Sequence, residues 1–208
     1  MAKLESTLKN MLISLGGIAL VCALLLAVVN ALTEKRIARV QAAKTEAAIA
    51  KVVPAFDGSP VDTLVLVDAQ EYLVHKAMAG GNIVGYAIET VTTGFGGPIN
   101  MMVGFSSDGD IYSTAVVSHS ETPGLGAKIT DDESHFRTQF AHRNPSDGYK
   151  LAVTKDGGDV DAITASTITS RAFTQAVAKA YNVFLSVAGP QPEAESFEPQ
   201  DGEGGSDE

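Results

Sequence analysis

Apolar residues fill the N-terminal part of the chain, and no charged residue occurs between Asn10 and Thr33. At about 1.5 Å of rise per residue, a helix over this stretch spans roughly 36 Å, enough to cross the hydrocarbon core of a bilayer. A cleaved signal peptide is the alternative, but the stretch is longer than the roughly 7–15 apolar residues typical of such peptides. The pattern therefore predicts a short N-terminus over residues 1–9 and a transmembrane helix over residues 10–33.

Beyond the apolar segment the chain keeps a helical period, with many alanines, until Pro54. Because proline inside a helix removes a hydrogen bond and clashes with the preceding turn, we expect a stalk and linker over residues 34–60. Short runs rich in β-branched and aromatic residues follow, separated by turns that contain Gly or Asp. They predict strands over residues 63–67, 72–77, 83–91, 99–105 and 111–118.

Two helices are predicted after the strands. The TDDE sequence at residues 130–133 has the spacing of a capping box and predicts a short helix that continues to residue 140. The last helix begins near residues 167–170 and runs to residue 187, with an apolar stripe that faces the sheet. The stripe consists of Phe173, Val177, Tyr181 and Phe184. The chain is thus a membrane anchor, a stalk and one α+β domain over residues 61–189.

Charge and cysteine content exclude several classes of protein. The formal net charge is −10, which disfavours a general nucleic-acid binder. Seven acidic residues and no Lys or Arg lie after Gly189, so residues 190–208 are predicted to form a disordered acidic tail. The single cysteine, Cys22, excludes an intrachain disulfide and a cysteine-cluster metal site. The four histidines are scattered, and we expect no catalytic metal.

Three segments are candidates for ligand binding. In the first, GFGGPIN at residues 94–100, glycines around Phe95 allow close backbone approach to a flat ligand, or simply form a wide turn. In the second, HSETPGLGAK at residues 119–128, polar groups and Leu125 can contact the edge and face of a ring, or the loop is only structural.

The third candidate segment, DAITASTITSR at residues 161–171, places five hydroxyl residues at the predicted start of the last helix. Unpaired N–H groups and the helix dipole favour a phosphate there, with Arg171 as an assisting cation. The alternative is a Ser/Thr-rich helix cap, which accounts for one or two of the hydroxyls.

The order of these motifs, together with MVGF at residues 102–105 and the N-terminal anchor, resembles the FMN-binding-domain family over roughly residues 1–188. That family includes the G subunit of the Rnf electron-transport complex, to which the resemblance is nearer, and the C subunit of the Na⁺-translocating NADH:quinone reductase. The resemblance implies an antiparallel-sheet FMN-binding domain with a C-terminal packing helix. It also implies a membrane-anchored flavoprotein subunit that is not catalytic alone.

The resemblance implies that FMN is attached through its phosphate to a threonine by a separate flavin transferase that uses FAD and Mg²⁺. The family pattern is Asp-x-x-Ser/Thr-Gly-Ala-Thr. Asp161 and Thr164 match it, and Thr167 is the implied acceptor, with Thr169 a distant second. Ala165 and Ser166 occupy the Gly and Ala positions, which adds a methyl and a second hydroxyl beside the acceptor.

Further residues are candidates for binding the flavin and tuning its potential. They are Glu121, Thr122, Leu125 and Lys128, with Gly96 and Gly97 lining the approach and Ser166 beside the phosphoester.

The implied partners are the other Rnf subunits, A, B, C, D and E, especially the membrane subunits D, E and A. The complex links ferredoxin and NAD⁺ to Na⁺ or H⁺ translocation.

Counting positive residues places the C-terminal domain inside the cell, but long domains translocate largely regardless of charge, so the charge pattern leaves the side open. The resemblance implies a single pass through the bacterial cytoplasmic membrane, with residues 1–9 cytoplasmic and the domain periplasmic. A non-redox anchored module with a recruiting acidic tail is the alternative.

Overall fold

The computed structural model describes residues 8–189 of the chain. The chain divides into two compact units, and the division falls between Ala47 and Ala48, inside the first helix. Helix α1 spans Leu8–Val52. Residues 1–7 of the predicted N-terminus and the predicted acidic tail at residues 190–208 lie outside the described residues.

The first unit is the helical part of α1 before Ala48. Its most apolar stretch has a mean hydropathy of 2.8, and none of that stretch is buried against the protein. The whole of α1 has 45 residues, so at about 1.5 Å per residue it is roughly 68 Å long, more than a bilayer crossing requires. Helix α1 is therefore long and apolar enough to serve as a single-pass membrane anchor, and the boundaries at residues 33 and 60 stay predictions.

Five antiparallel strands in the second unit pair in chain order, so the sheet is a simple meander. Each of the five predicted strands is confirmed, with ends that differ by no more than two residues. The strands are β1 (Val61–Val67), β2 (Gln70–Ala79), β3 (Asn82–Thr93), β4 (Pro98–Ser106) and β5 (Ile111–His119).

Helix α3 (Thr167–Ala188) covers one face of the sheet with the apolar stripe that its sequence predicts. Phe173 and Val177 are fully buried, and Phe184 is almost so. The Phe184 ring stacks on Phe105 of β4 with a centroid distance of 5.0 Å. This packing lays α3 along the sheet and fixes the position of its first turn in the domain.

The last residues of α1, which belong to the second unit, pack on the opposite face of the sheet. Ile49 and Val52 join a buried cluster with Ala87 of β3 and Met102 of β4. The backbones come so close that a Cβ at Gly104 would overlap the carbonyl group of Val52. The middle strands are therefore buried on both faces.

The predicted capping box is wrong. A 3₁₀ turn over Gly126–Thr130 precedes the segment, and helix α2 spans only His135–Thr138. Thr130 donates its hydroxyl backward to the carbonyl of Ala127, so its side chain does not cap a following helix. Ser134 takes the N-cap position instead and accepts from the N–H of Arg137.

Candidate functional site

A cleft of about 310 Å³ lies where the first turn of α3 meets two loops of the domain. One loop joins β3 to β4, and the other follows β5. Each of the three segments singled out in the sequence contributes to its lining, so folding brings them together at one place. The lining residues are Phe95, Glu121, Thr122, Leu125, Gly126, Ala165, Ser166, Thr167, Ile168 and Thr169.

The glycine-rich segment after β3 forms a tight turn against the loop that follows β5. The N–H of Gly94 donates to the carbonyl of Gly97 at 2.8 Å, and Gly97 has a φ of +141°. A Cβ at Gly96 would overlap the carbonyl oxygen of Ser120, and one at Gly97 would lie 3.0 Å from the Ser120 Cβ. The two glycines thus permit contact between the loops, and it is Phe95, 72% exposed, that lines the cleft.

Glu121 is buried at the base of the cleft, with 5% of its surface exposed. Its Oε1 accepts a hydrogen bond from the N–H of Gly96 at 3.0 Å, and its Oε2 accepts one from the hydroxyl of Thr169 at 2.9 Å. Its own N–H donates to Nδ1 of His119 at 3.0 Å. Both carboxylate oxygens therefore have the partners that a buried charge requires.

The loop after Glu121 presents a compact turn at the mouth of the cleft. The carbonyl of Thr122 accepts from the N–H groups of Leu125 and Ala127, both at 3.2 Å. Thr122 and Leu125 are exposed and line the cleft, and their contact with a ligand stays a prediction. Lys128, on the same loop, is exposed but does not belong to the cleft lining.

The start of α3 supplies the polar end of the cleft. Ser166 occupies the N-cap position without capping through its side chain, and its buried Oγ has no hydrogen-bond partner among the described residues. Ala165 has a φ of +62°, a left-handed conformation that favours glycine. Thr167 is partly buried and lines the cleft. Because the first N–H groups of a helix lack intrahelical partners, this end of the cleft suits an anion.

The remaining hydroxyl groups of this segment have other roles. The Ser170 hydroxyl donates to the carbonyl of Ser166 at 3.0 Å and accepts from the N–H of Ile163 at 3.0 Å, so it does act as a local cap. Thr169 is bound to Glu121, and Thr164 is exposed outside the cleft lining. Thr167 is therefore the hydroxyl residue of the segment that both lines the cleft and is partly exposed.

Two charged residues of the third segment lie away from the cleft. The backbone of Asp161 is held by Gln139, whose side chain accepts from its N–H at 2.8 Å and donates to its carbonyl at 3.0 Å. The guanidinium of Arg171 forms two 2.6 Å hydrogen bonds to Asp156, so Arg171 is engaged away from the cleft, and its role as a phosphate-assisting cation stays a prediction. The hydrogen bond from Arg171 lowers the pKa of the Asp156 carboxyl.

Arg137 supports the second loop, although no local pattern in the sequence points to it. Its side chain is buried and donates to the Thr114 hydroxyl at 2.8 Å, to the Thr114 carbonyl, and to the Ile129 carbonyl at 3.1 Å. Burial lowers the pKa of Arg137, while the nearby Asp132 opposes that shift. The Lys51 hydrogen bond is the main cause that lowers the pKa of Asp132. These contacts fasten the end of the loop to β5.

Another buried polar residue, His75 of β2, lies on the sheet outside the cleft lining. Its Nδ1 is 2.6 Å from Oδ1 of Asp62, and its Nε2 is 3.4 Å from Oε1 of Glu89. Burial disfavours the charged imidazole, but the hydrogen bonds and charges of Glu89 and Asp62 outweigh it, so the pKa of His75 is raised. An isolated histidine in a strand carries no sequence signal for this pair of acidic neighbours.

Comparison with protein families identifies two matching regions. Residues 94–182 match an FMN-binding domain, and residues 1–52 match an RnfG N-terminal region. The first region contains all three segments of the cleft, and the second contains helix α1.

Curated relatives match along most of the chain. The G subunit of the ion-translocating oxidoreductase complex of Yersinia pestis is 37% identical over 180 residues, which cover 80% of this chain and 85% of the relative. The corresponding G subunits of Cereibacter sphaeroides (82% of this chain, 81% of the relative) and Methanosarcina acetivorans (81% and 89%) are each 36% identical.

A solved structure shares the fold. It is the C subunit of the Na⁺-translocating NADH-quinone reductase of Parabacteroides distasonis, with a TM-score of 0.51, 21% sequence identity, and coverage of 72% of this chain and 84% of that one. The identity to the curated relatives is high enough, over enough of their length, to assign the family. The chain belongs to the family of G subunits of ion-translocating oxidoreductase complexes, and its cleft lies in the FMN-binding domain of that family.

Proposed function

We propose that the chain carries one FMN as a phosphoester on Thr167 and relays electrons through it within an Rnf complex. The observation that carries this proposal is the composition of the cleft. Its polar end combines the start of α3, the Thr167 hydroxyl and the Ser166 hydroxyl that has no partner among the described residues. Its mouth is apolar. A planar ligand that carries a phosphate matches a cleft with one polar end and an apolar mouth.

The polar end fits the FMN phosphate. A phosphate ester on Thr167 lies beside the N–H groups of the first helical turn, where the helix dipole favours negative charge. The buried Ser166 Oγ, left without a partner by the described residues, is a donor within the same cleft lining. Ser166 thus supplies to the phosphate a hydroxyl that the family pattern, with alanine at this position, does not contain.

The apolar mouth fits the flavin ring. Phe95, Leu125 and Ile168 line the cleft and are 72%, 45% and 52% exposed. Exposed apolar side chains around a cleft are typical of binding sites for planar ligands. When bound, FMN supplies the redox chemistry, and the protein sets its position and potential. Thr122, which lines the cleft, and Lys128, on the same loop but outside the lining, remain the candidates for tuning that potential.

Attachment requires a transferase with FAD and Mg²⁺. The Thr167 oxygen bonds to the phosphorus of the FMN half while the pyrophosphate bond breaks, AMP leaves, and the hydroxyl proton passes to a base. Asp161 and Thr164 are exposed and lie outside the cleft lining. Because both are exposed, they are accessible to the transferase as well as to a ligand at the cleft.

The proposed position of the subunit rests on its long apolar helix and on the family resemblance. Helix α1 crosses the bacterial cytoplasmic membrane once and holds the domain on the periplasmic side, next to the membrane subunits D, E and A. The other partners, subunits B and C, complete a ferredoxin:NAD⁺ oxidoreductase coupled to Na⁺ or H⁺ translocation. A covalent bond suits such a relay, because electron transfer needs a redox group at a fixed distance from its neighbours.

The relay role is tested in membranes that contain the assembled complex. Thr167→Ala is compared with Thr130→Ala, which removes an exposed threonine hydroxyl outside the cleft lining. We expect Thr167→Ala to lose the flavin fluorescence of this chain and ferredoxin-dependent NAD⁺ reduction, while Thr130→Ala keeps both. Full NAD⁺ reduction by an assembled Thr167→Ala complex would contradict the relay role.

A further inference from the structure

We propose that Glu121 is a positioning residue, whose carboxylate fixes the start of α3 relative to the turn after β3 and so sets the cleft before any ligand binds. This inference rests on the proposed function and gives Glu121 a role other than contact with the flavin. Both of its carboxylate oxygens already have protein partners, the N–H of Gly96 and the hydroxyl of Thr169.

The hydrogen bond between Glu121 and Thr169 is strong because both side chains are buried. Glu121 is 5% exposed and Thr169 is 1% exposed, so water does not compete for either group. A buried carboxylate that loses one partner keeps its desolvation penalty without compensation. Thr169 is two residues beyond Thr167, so a bond that holds Thr169 also holds the acceptor residue in the first turn of α3.

The glycines of the first two motifs make room for this carboxylate. A Cβ at Gly94 would overlap Oε1 of Glu121, and a Cβ at Gly126 would overlap its Oε2. The glycine-rich sequences, which suggest close approach to a flat ligand, thus permit close approach to a buried side chain. The turn after β3, the loop after β5 and helix α3 all meet at Glu121.

The consequence for attachment is geometric. Phosphoryl transfer to Thr167 depends on the position of its hydroxyl, and misplacement by about 1 Å can cost about two orders of magnitude in rate. If Glu121 holds the first turn of α3, removing its carboxylate slows attachment more than a substitution elsewhere in the domain that lowers stability by the same amount. Glutamine keeps the shape and both hydrogen bonds, since its amide oxygen accepts from Gly96 and its NH₂ donates to the Thr169 oxygen.

The test uses the full chain in detergent, made without a transferase, with purified flavin transferase, FAD and Mg²⁺ added afterwards. The variants are Glu121→Ala, Glu121→Gln and Thr169→Val. Val183→Ala is the control, because Val183 is fully buried in α3 and does not belong to the cleft lining. The two readouts are the initial rate of FMN attachment and the amide hydrogen exchange of Gly96 before FAD is added.

We expect Glu121→Ala to slow attachment and to speed Gly96 exchange by about tenfold or more, the factor typical for loss of a hydrogen bond to a charged group. Thr169→Val should slow attachment by less, Glu121→Gln should stay near wild type, and Val183→Ala should attach FMN normally despite a lower melting temperature. Wild-type attachment by Glu121→Ala would overturn the proposal, as would slowing of Val183→Ala in proportion to its lost stability. A rate for Glu121→Gln as low as that for Glu121→Ala would also overturn it, because charge rather than position would then be decisive.

The two readouts separate this proposal from the proposed function. If the wild-type chain takes no FMN from an active transferase, attachment to Thr167 fails as a proposal. The amide hydrogen exchange of Gly96 in Glu121→Ala is then the only readout for the positioning role. Faster exchange supports that role, and unchanged exchange overturns it. If Glu121→Ala does not fold, Thr169→Val decides through the same two readouts.

Discussion

The hydroxyl of Thr169 donates to the carboxylate of Glu121 at 2.9 Å, across 48 residues of sequence. The other oxygen of that carboxylate accepts from the N–H of Gly96. One buried side chain therefore connects the three segments that line the cleft. Since the helix that carries Thr169 begins at Thr167, the position of the implied acceptor depends on a contact that local sequence does not reveal.

Ala165→Gly should stabilise the domain. Ala165 has a φ of +62°, which costs an L-residue about 1–2 kcal/mol, while the added glycine costs about 0.5–1 kcal/mol in chain entropy. We expect the free energy of unfolding to rise by up to about 1.5 kcal/mol, the largest difference between those two terms. Chemical denaturation of the full chain in detergent measures it.

Ala162→Gly is the matched control for that change, because Ala162 is not among the residues with positive φ. It should lower the free energy of unfolding by about 0.5–1 kcal/mol. If both variants lose stability equally, the left-handed conformation at Ala165 is wrong.

Gly104→Ala should destabilise the second unit strongly. The added Cβ would overlap the carbonyl carbon and oxygen of Val52, which are backbone atoms and cannot yield easily. We expect a loss of about 1–3 kcal/mol or more, as for overpacked cores. Gly81→Ala separates steric overlap from backbone strain, since Gly81 has a φ of +84° but open space around it. A smaller loss for Gly104→Ala than for Gly81→Ala would contradict the close packing of Val52 on β4.

The strands and the last helix were predictable because their signals are local. Runs of β-branched residues between turns mark strands, and the stripe from Phe173 to Phe184 has the period of a helix with one buried face. The three cleft segments were also predictable, because each holds residue types that are unusual for a core or a simple turn. Folding brings all three to the lining of one cleft.

The contacts that hold the site were not predictable, because they join distant residues. Nothing near Arg137 shows that its guanidinium binds Thr114 and the Ile129 carbonyl. The TDDE spacing at residues 130–133 fits a capping box, yet the 3₁₀ turn before it uses the Thr130 hydroxyl and leaves the N-cap to Ser134. Tertiary packing overrides a short local motif there.

His75 should make stability depend on pH. Its folded pKa is raised above the ordinary value of 6.5, so its contribution to stability is fully present below pH 6.5 and is lost as pH rises through the folded pKa. Asp62→Asn removes one of the acidic partners of His75. The difference in unfolding free energy between wild type and Asp62→Asn should shrink as pH rises from below 6.5 through the raised folded pKa of His75. If this difference in unfolding free energy grows with pH instead, Asp62 does not stabilise the protonated form of His75.

Arg171→Gln should leave FMN attachment unchanged. The Arg171 guanidinium is engaged by Asp156 through two hydrogen bonds of 2.6 Å and does not line the cleft. Attachment rates with purified transferase, measured beside those of wild type, check this expectation. A large loss of rate would show that Arg171 leaves Asp156 to assist the phosphate.

The most direct test of the account is the mass of the chain after co-expression with an active flavin transferase. Intact mass and tryptic peptides are compared for wild type, Thr167→Ala and Thr130→Ala. The account predicts one FMN phosphoester on the wild-type peptide that contains Thr167, the same mass in Thr130→Ala, and none in Thr167→Ala. Unmodified wild-type chain, or FMN retained in Thr167→Ala, would contradict Thr167 as the acceptor.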